Sequence, residues 1–108
     1  MDFNEYQELA FRTASYPNKG SNIYYPALGL GEAGEVQGKV KKVMRDNDGV
    51  LTDEFKHAII DEMGDVLWYI AALSSELQTD LSEVAKRNIA KLEDRRKRGK
   101  IGGSGDYR

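Results

Sequence analysis

The stretch TDEFKHAIIDEMGDVLWYIAALSSELQ, residues 52–78, decides the fold. Within it Phe55, Ile59, Val66, Ile70 and Leu73 recur three and four residues apart, the repeat of one helix face. The remaining position on that face is Glu62. Ile60, Met63, Leu67, Trp68 and Ala71 spread apolar character over most of the circumference, so this helix needs neighbours on several sides. Thr52 stands where a capping hydroxyl is wanted. A carboxylate in the middle of such a stripe is costly unless something positive faces it.

Working outward, the segment from about Ala27 to Arg45 is a second helix with Leu30, Ala33, Val36, Val40, Val43 and Met44 as its apolar stripe. Beside that stripe runs the line Leu28, Glu32, Glu35, Lys39, Lys42, and Asp-Asn-Asp-Gly at 46–49 ends the helix. A first helix is expected over Asp2–Ala14, with Phe3, Tyr6, Leu9, Ala10 and Thr13 on one side. Residues 15–26 carry breakers (Pro17, Asn18, Gly20, Ser21, Asn22) together with Tyr16, Tyr24 and Tyr25, and are expected to form a loop. Asp80-x-x-Glu83 resembles a capping box opening a fourth helix, which carries Leu81, Val84, Ala85, Ile89 and Leu92 and fades near Gly99. No segment has strand character. The expectation is an all-α protein with one helical domain over residues 1–100 and a flexible tail over 101–108. Three short helices do not supply enough apolar partners for residues 52–78, so self-association, at least a dimer, is expected as well.

Composition narrows the chemistry. There is no cysteine, and His57 is the single histidine, so neither a disulfide framework nor a Cys or His metal cluster is available. Eighteen acidic and sixteen basic side chains leave a net charge of −2, which gives no global pull toward nucleic acid or an anionic membrane. The N-terminal Met-Asp-Phe-Asn-Glu lacks the basic and apolar regions of a signal peptide, and no apolar run approaches the ~20 residues that span a bilayer. A cytoplasmic protein is expected.

The chemistry sits in two acidic pairs, Glu32-x-x-Glu35 and Glu62-x-x-Asp65. Spacing of three places each pair on one helix face, among apolar or small residues. If the second and third helices pack antiparallel through the connection at 46–51, the pairs lie equally far from the turn and come to one level. Four converging carboxylates suit a hard divalent cation, Mg²⁺ with Mn²⁺ as a substitute, that keeps waters and takes phosphate as a further ligand. Such an ion orients a polyphosphate and acidifies a water, whose proton a nearby carboxylate, here Glu35, can take. Lys39 and Lys42, and on the last helix Lys91 and Arg95, are candidate phosphate contacts. The bland alternative pairs Glu62 with a lysine of the second helix.

Three stretches carry a family resemblance: Gly-Leu-Gly-Glu-Ala-Gly-Glu-Val (29–36), Asp-Glu-Met-Gly-Asp-Val-Leu-Trp-Tyr (61–69) and Asn88-x-x-Lys91-Leu-x-x-Arg95. Together they resemble the MazG-like nucleotide pyrophosphohydrolases over nearly the whole chain. The resemblance implies a four-helix module assembling as a homodimer or homotetramer. It implies hydrolysis of nucleoside triphosphates between the α and β phosphorus to monophosphate and pyrophosphate. On this chain the family's metal-binding acids fall on Glu32, Glu35, Glu62 and Asp65. Tyr69 matches a nucleotide-contacting position, and Asn88 and Lys91 match a polar pair near the phosphates. Many relatives carry one more Glu where this chain has Gly31.

Other patterns weigh less. Gly29-x-Gly31-x-x-Gly34 spells a dinucleotide fingerprint, but no strand precedes it and Glu32 would face the pyrophosphate. Small residues there instead let the helix pack closely and leave room for metal and phosphate. Trp68 fits the core better than a base platform, and His57 fits the surface. The basic run at 95–100 suits a helix C-terminus. Two rival classes follow: a non-catalytic helical interaction module, and a nucleic-acid binder using the basic last helix. Neither accounts for the embedded carboxylates.

Overall fold

A computed structural model describes residues 1–99; the tail expected at 101–108 lies outside them. All the regular structure among the described residues is helical: α1 (Phe3–Arg12), α2 (Tyr24–Gly29), a 3₁₀ turn (Leu30–Glu32), α3 (Ala33–Asp46), α4 (Asp53–Glu76) and α5 (Leu81–Lys97). No helix among these residues is long and apolar enough to cross a membrane. The all-α class is as the periodicity implied, and the differences lie at the boundaries.

The second helix begins earlier than expected and is not continuous. Tyr24–Pro26 were expected in a loop, yet they form the first turn of α2. Asn22 Oδ1 accepts the amides of Tyr24 and Tyr25 at 3.1 and 3.2 Å, and a proline is tolerated in a first turn because its missing N–H needs no partner there. Three residues of 3₁₀ helix, flanked by Gly29 and Ala33 and containing Gly31, then separate α2 from α3. Glycine weakens a helix interior, and Gly29 is needed for a close approach. A Cβ built on it would overlap the ring of Tyr69.

α3 and α4 form the hairpin that carries the acidic pairs. The turn uses left-handed backbone at Asp48 (φ 53°) and Gly49 (φ 75°), with Gly49 N–H donating to Val43 O at 3.0 Å. Thr52 Oγ1 caps α4 by accepting Phe55 N–H at 3.2 Å, as the sequence suggested. Gly29 meets Tyr69, and Lys39 meets Glu62. Rising numbers on one strand of the hairpin therefore meet falling numbers on the other, and α4 runs antiparallel to α2 and α3.

The core is small. Ala10, Ala71 and Leu81 form one buried cluster with Tyr6, Leu67, Trp68 and Ile70 packed on it. Ala14, Tyr16 and Ala72 form a second, joined to the first through Trp68. Trp68 is thus a core residue, and its Nε1–H donates to Thr13 Oγ1 at 2.8 Å. α1 buries Gln7 and Ala10, while Phe3 and Leu9 of the expected stripe stay half exposed.

α5 is capped from outside. Asp80 makes no side-chain cap, so the expected capping box does not form. Gln7 Oε1 instead accepts Leu81 N–H at 2.7 Å and Asn4 Oδ1 accepts Ser82 N–H at 3.2 Å. Gln7 Nε2–H donates to Thr79 O at 2.9 Å and Ser75 Oγ at 3.1 Å, so one buried amide joins three helices. Gln7→Ala strands Leu81 N–H in the interior, and a loss of about 1–3 kcal/mol in urea unfolding is expected.

Candidate active site

Three of the four acids meet. Glu32 ends the 3₁₀ turn, Glu62 lies midway along α4, and Asp65 follows one turn later. Each offers a carboxylate oxygen within 4.8 Å of the others. Glu32 and Glu62 are half-buried and Asp65 is exposed, which gives the cluster a dry side and a wet side. Glu35 stands apart from the group of three, exposed on the first turn of α3. Glu62 and Asp65 share the spacing of three that relates Glu32 to Glu35 and do converge, so the spacing permits a shared site without requiring one.

Two oxygens bound at ~2.1 Å to one octahedral ion lie about 3 to about 4.2 Å apart. At most one of the three pairs can be the wider, trans pair, so at least two pairs close from within 4.8 Å to about 3 Å, a movement within reach of side-chain rotation. An all-carboxylate donor set with no nitrogen or sulfur suits a hard divalent cation, so the residues present fit one.

Lys39 Nζ lies 3.9 Å from Glu62 Oε1, across the hairpin. The bland pairing is therefore real, and it coexists with the cluster, because one lysine offsets only part of three negative charges. At that distance and partial exposure it contributes little stability. Lys42 is exposed further along α3.

Tyr69 stands next to the acids. With Glu32, Asp65 and Trp68 it lines a cleft of ≈ 420 Å³. Its hydroxyl is pushed above its ordinary pKa first by burial, then by Tyr25, Glu32 and Asp65. The helix-α5 candidates lie elsewhere in the chain. Asn88 and Lys91 line an open groove of ≈ 930 Å³ with Leu77, Thr79 and Glu83, into which none of the three acids projects. Arg95 is buried. α5 packs on α1 and α4 and touches neither α3 nor the 3₁₀ turn. His57 is exposed.

Sequence reasoning passed over Glu76, at the end of α4. This buried carboxylate accepts Tyr16 O–H at 2.5 Å and the amides of Gly20 and Asn22 at 2.8 Å each. Burial alone, the largest influence, would raise its pKa, but the Tyr16, Asn22 and Gly20 donors and the nearby Lys19 together hold it below the usual carboxylate range. Tyr16 is pushed well above the tyrosine range by burial and by the same carboxylate. The available signal was an acid four residues after Ala72, on the face that α4 buries.

Comparison with known proteins agrees with this geometry. Residues 23–99 match the MazG nucleotide pyrophosphohydrolase domain, and the chain belongs to that family. The match takes in α2, the carboxylate hairpin and α5. Gene 37 protein of Mycobacterium phage L5 is 46% identical to this chain over 114 aligned positions, covering 100% of both chains. No solved structure matches it.

Proposed function

We propose that this chain is a Mg²⁺-dependent nucleoside triphosphate pyrophosphohydrolase, producing a nucleoside monophosphate and pyrophosphate. The observation that carries the reading is the convergence of Glu32, Glu62 and Asp65 from two helix segments inside the region shared with the family.

A divalent ion, when bound, supplies charge neutralisation for phosphate oxygens and acidifies water; Mn²⁺ would substitute for Mg²⁺. Glu32, Glu62 and Asp65 would hold that ion through their carboxylate oxygens. Glu35, one turn further and in solvent, is better placed to orient the attacking water and accept its proton than to complete the inner set. Lys39, held by Glu62 while the phosphates are absent, donates to a phosphate oxygen when they arrive. Tyr69 lies along the substrate beyond the phosphates, and the Trp68–Tyr69 edge closes that end of the cleft.

Asn88 and Lys91 are the remaining phosphate contacts of this reading; Arg95, expected among them, is buried within its own chain and takes no part in such a contact. Asn88 and Lys91 reach the carboxylates most directly as contributions from a second copy, since α5 lies away from α3 within one chain. A homodimer or homotetramer also accounts for the apolar side chains left in water. Leu28, Met44, Met63 and Ile89 are 80%, 67%, 56% and 61% exposed, too much apolar surface for a chain working alone.

The test is turnover of ribo- and deoxyribonucleoside triphosphates with Mg²⁺ and with EDTA. Hydrolysis that EDTA abolishes is expected. Hydrolysis indifferent to the chelator would remove the metal from the account.

A further inference from the structure

Next to the carboxylate cleft lies a second hollow of ≈ 260 Å³, lined by Tyr16, Tyr25, Trp68 and Tyr69 with Thr13 and Ser15. Trp68 and Tyr69 line both spaces, so the aromatic hollow continues from the acids. Tyr16 and Tyr25 stack at 4.9 Å between centroids with their planes 12° apart. A flat heterocycle stacks well on such rings. Two of the hydroxyls there are already committed: Thr13 Oγ1 accepts from Trp68 and donates to Ala10 O, and Tyr16 donates to Glu76.

Glu76 does not line the hollow, yet it holds two of its walls. It fixes Tyr16 directly through the O–H and fixes Asn22 through the backbone amide. Asn22 Oδ1 in turn accepts the amides of Tyr24 and Tyr25 and so sets the start of α2. One buried carboxylate thus orients both stacked tyrosines, one from each end of the 16–22 loop.

We infer that Glu76 is a positioning residue for the nucleobase, setting the aromatic hollow in which the base of the substrate stacks while its phosphates meet the acids. This rests on the nucleoside triphosphate reading above. A glutamine at 76 would turn an amino group toward at least one of three donors, loosening the loop while leaving the carboxylate cluster in place.

The experiment is steady-state hydrolysis of a nucleoside triphosphate by Glu76→Gln, together with inhibition by inorganic tripolyphosphate, which has phosphates and no base. The expected result is a KM raised about tenfold, kcat within about threefold of the parent, and an unchanged tripolyphosphate Ki. An unchanged KM, a fall confined to kcat, or a parallel rise in KM and tripolyphosphate Ki would overturn the inference. Where Glu76→Gln fails to fold by circular dichroism, Tyr16→Phe decides. It keeps the ring and loses the O–H, and a KM raised about threefold with the same unchanged Ki is expected. If the parent protein turns over no nucleoside triphosphate, the wider reading fails and this inference falls with it; normal parental turnover with any of the overturning results sinks the inference alone.

Discussion

Glu62→Gln and Asp65→Asn are each expected to lower kcat by roughly 100-fold or more while the protein stays folded. Each swap keeps the shape of the side chain and removes one charge and one anionic oxygen from a set of three. Without an ion, the three carboxylates within 4.8 Å repel one another, and Lys39 offsets only part of that. Removing one charge relieves the repulsion, so the melting temperature of the ion-free protein should hold or rise. The stabilisation given by Mg²⁺ should disappear, because an ion that binds the folded state alone raises stability by mass action. This pairing of retained fold with lost Mg²⁺ response separates a metal site from a structural ion-pair network, where the same substitutions would lower the melting temperature. Near-normal turnover in both variants would exclude these acids from the reaction.

The second large effect concerns assembly. Met44→Glu is expected to convert the protein to a monomer in sedimentation velocity and to lower its activity at least tenfold. Met44 is 67% exposed on α3, the helix bearing Lys39 and Glu35, and Val40 one turn before it is 45% exposed. Burying a methionine is worth about 1.5–3 kcal/mol, and in a two-fold interface the residue counts once from each copy. A charge placed in such a contact is penalised twice as well. A parent protein that sediments as a monomer at micromolar concentration while fully active would contradict the assembly and place the α5 contacts outside the reaction.

How far the residues foretold this arrangement varies along the chain. α4 was legible because its periodicity extends over more than six turns and its cap uses Thr52 directly. Equal distances to one turn matched Glu35 to Glu62 and Glu32 to Asp65; the group that forms is Glu32, Glu62 and Asp65, with Lys39 rather than Glu35 across from Glu62. Glu35 was placed with them because spacing of three marks a shared face. Glu62 and Asp65 share that spacing and meet, whereas Glu35 points to solvent on the first turn of α3, so the spacing marks a face without fixing what that face meets. α1 was harder. Of its expected face, Phe3, Tyr6, Leu9, Ala10 and Thr13, Ala10 is buried and Tyr6 packs on the core, but Phe3 and Leu9 stay half exposed and the buried side also takes Gln7 and, just past the end of the helix, Ala14. Gln7 was overlooked because a polar residue is assigned to water until its partners are known, and those partners lie nearly seventy or more residues away, on α4 and at the start of α5. Glu76 escaped for the same reason, since its donors belong to a loop whose path no periodicity describes. α2 was missed in part because Pro26 and three tyrosines suggest a loop, and a proline is neutral evidence in a first turn.

Product analysis is the measurement closest to the central claim. Nucleoside triphosphates would be incubated with the full chain and Mg²⁺, and the products separated and quantified against an EDTA control. The account predicts equimolar nucleoside monophosphate and pyrophosphate, formed only with the metal. Nucleoside diphosphate and orthophosphate, or no metal-dependent product from any triphosphate, would contradict it.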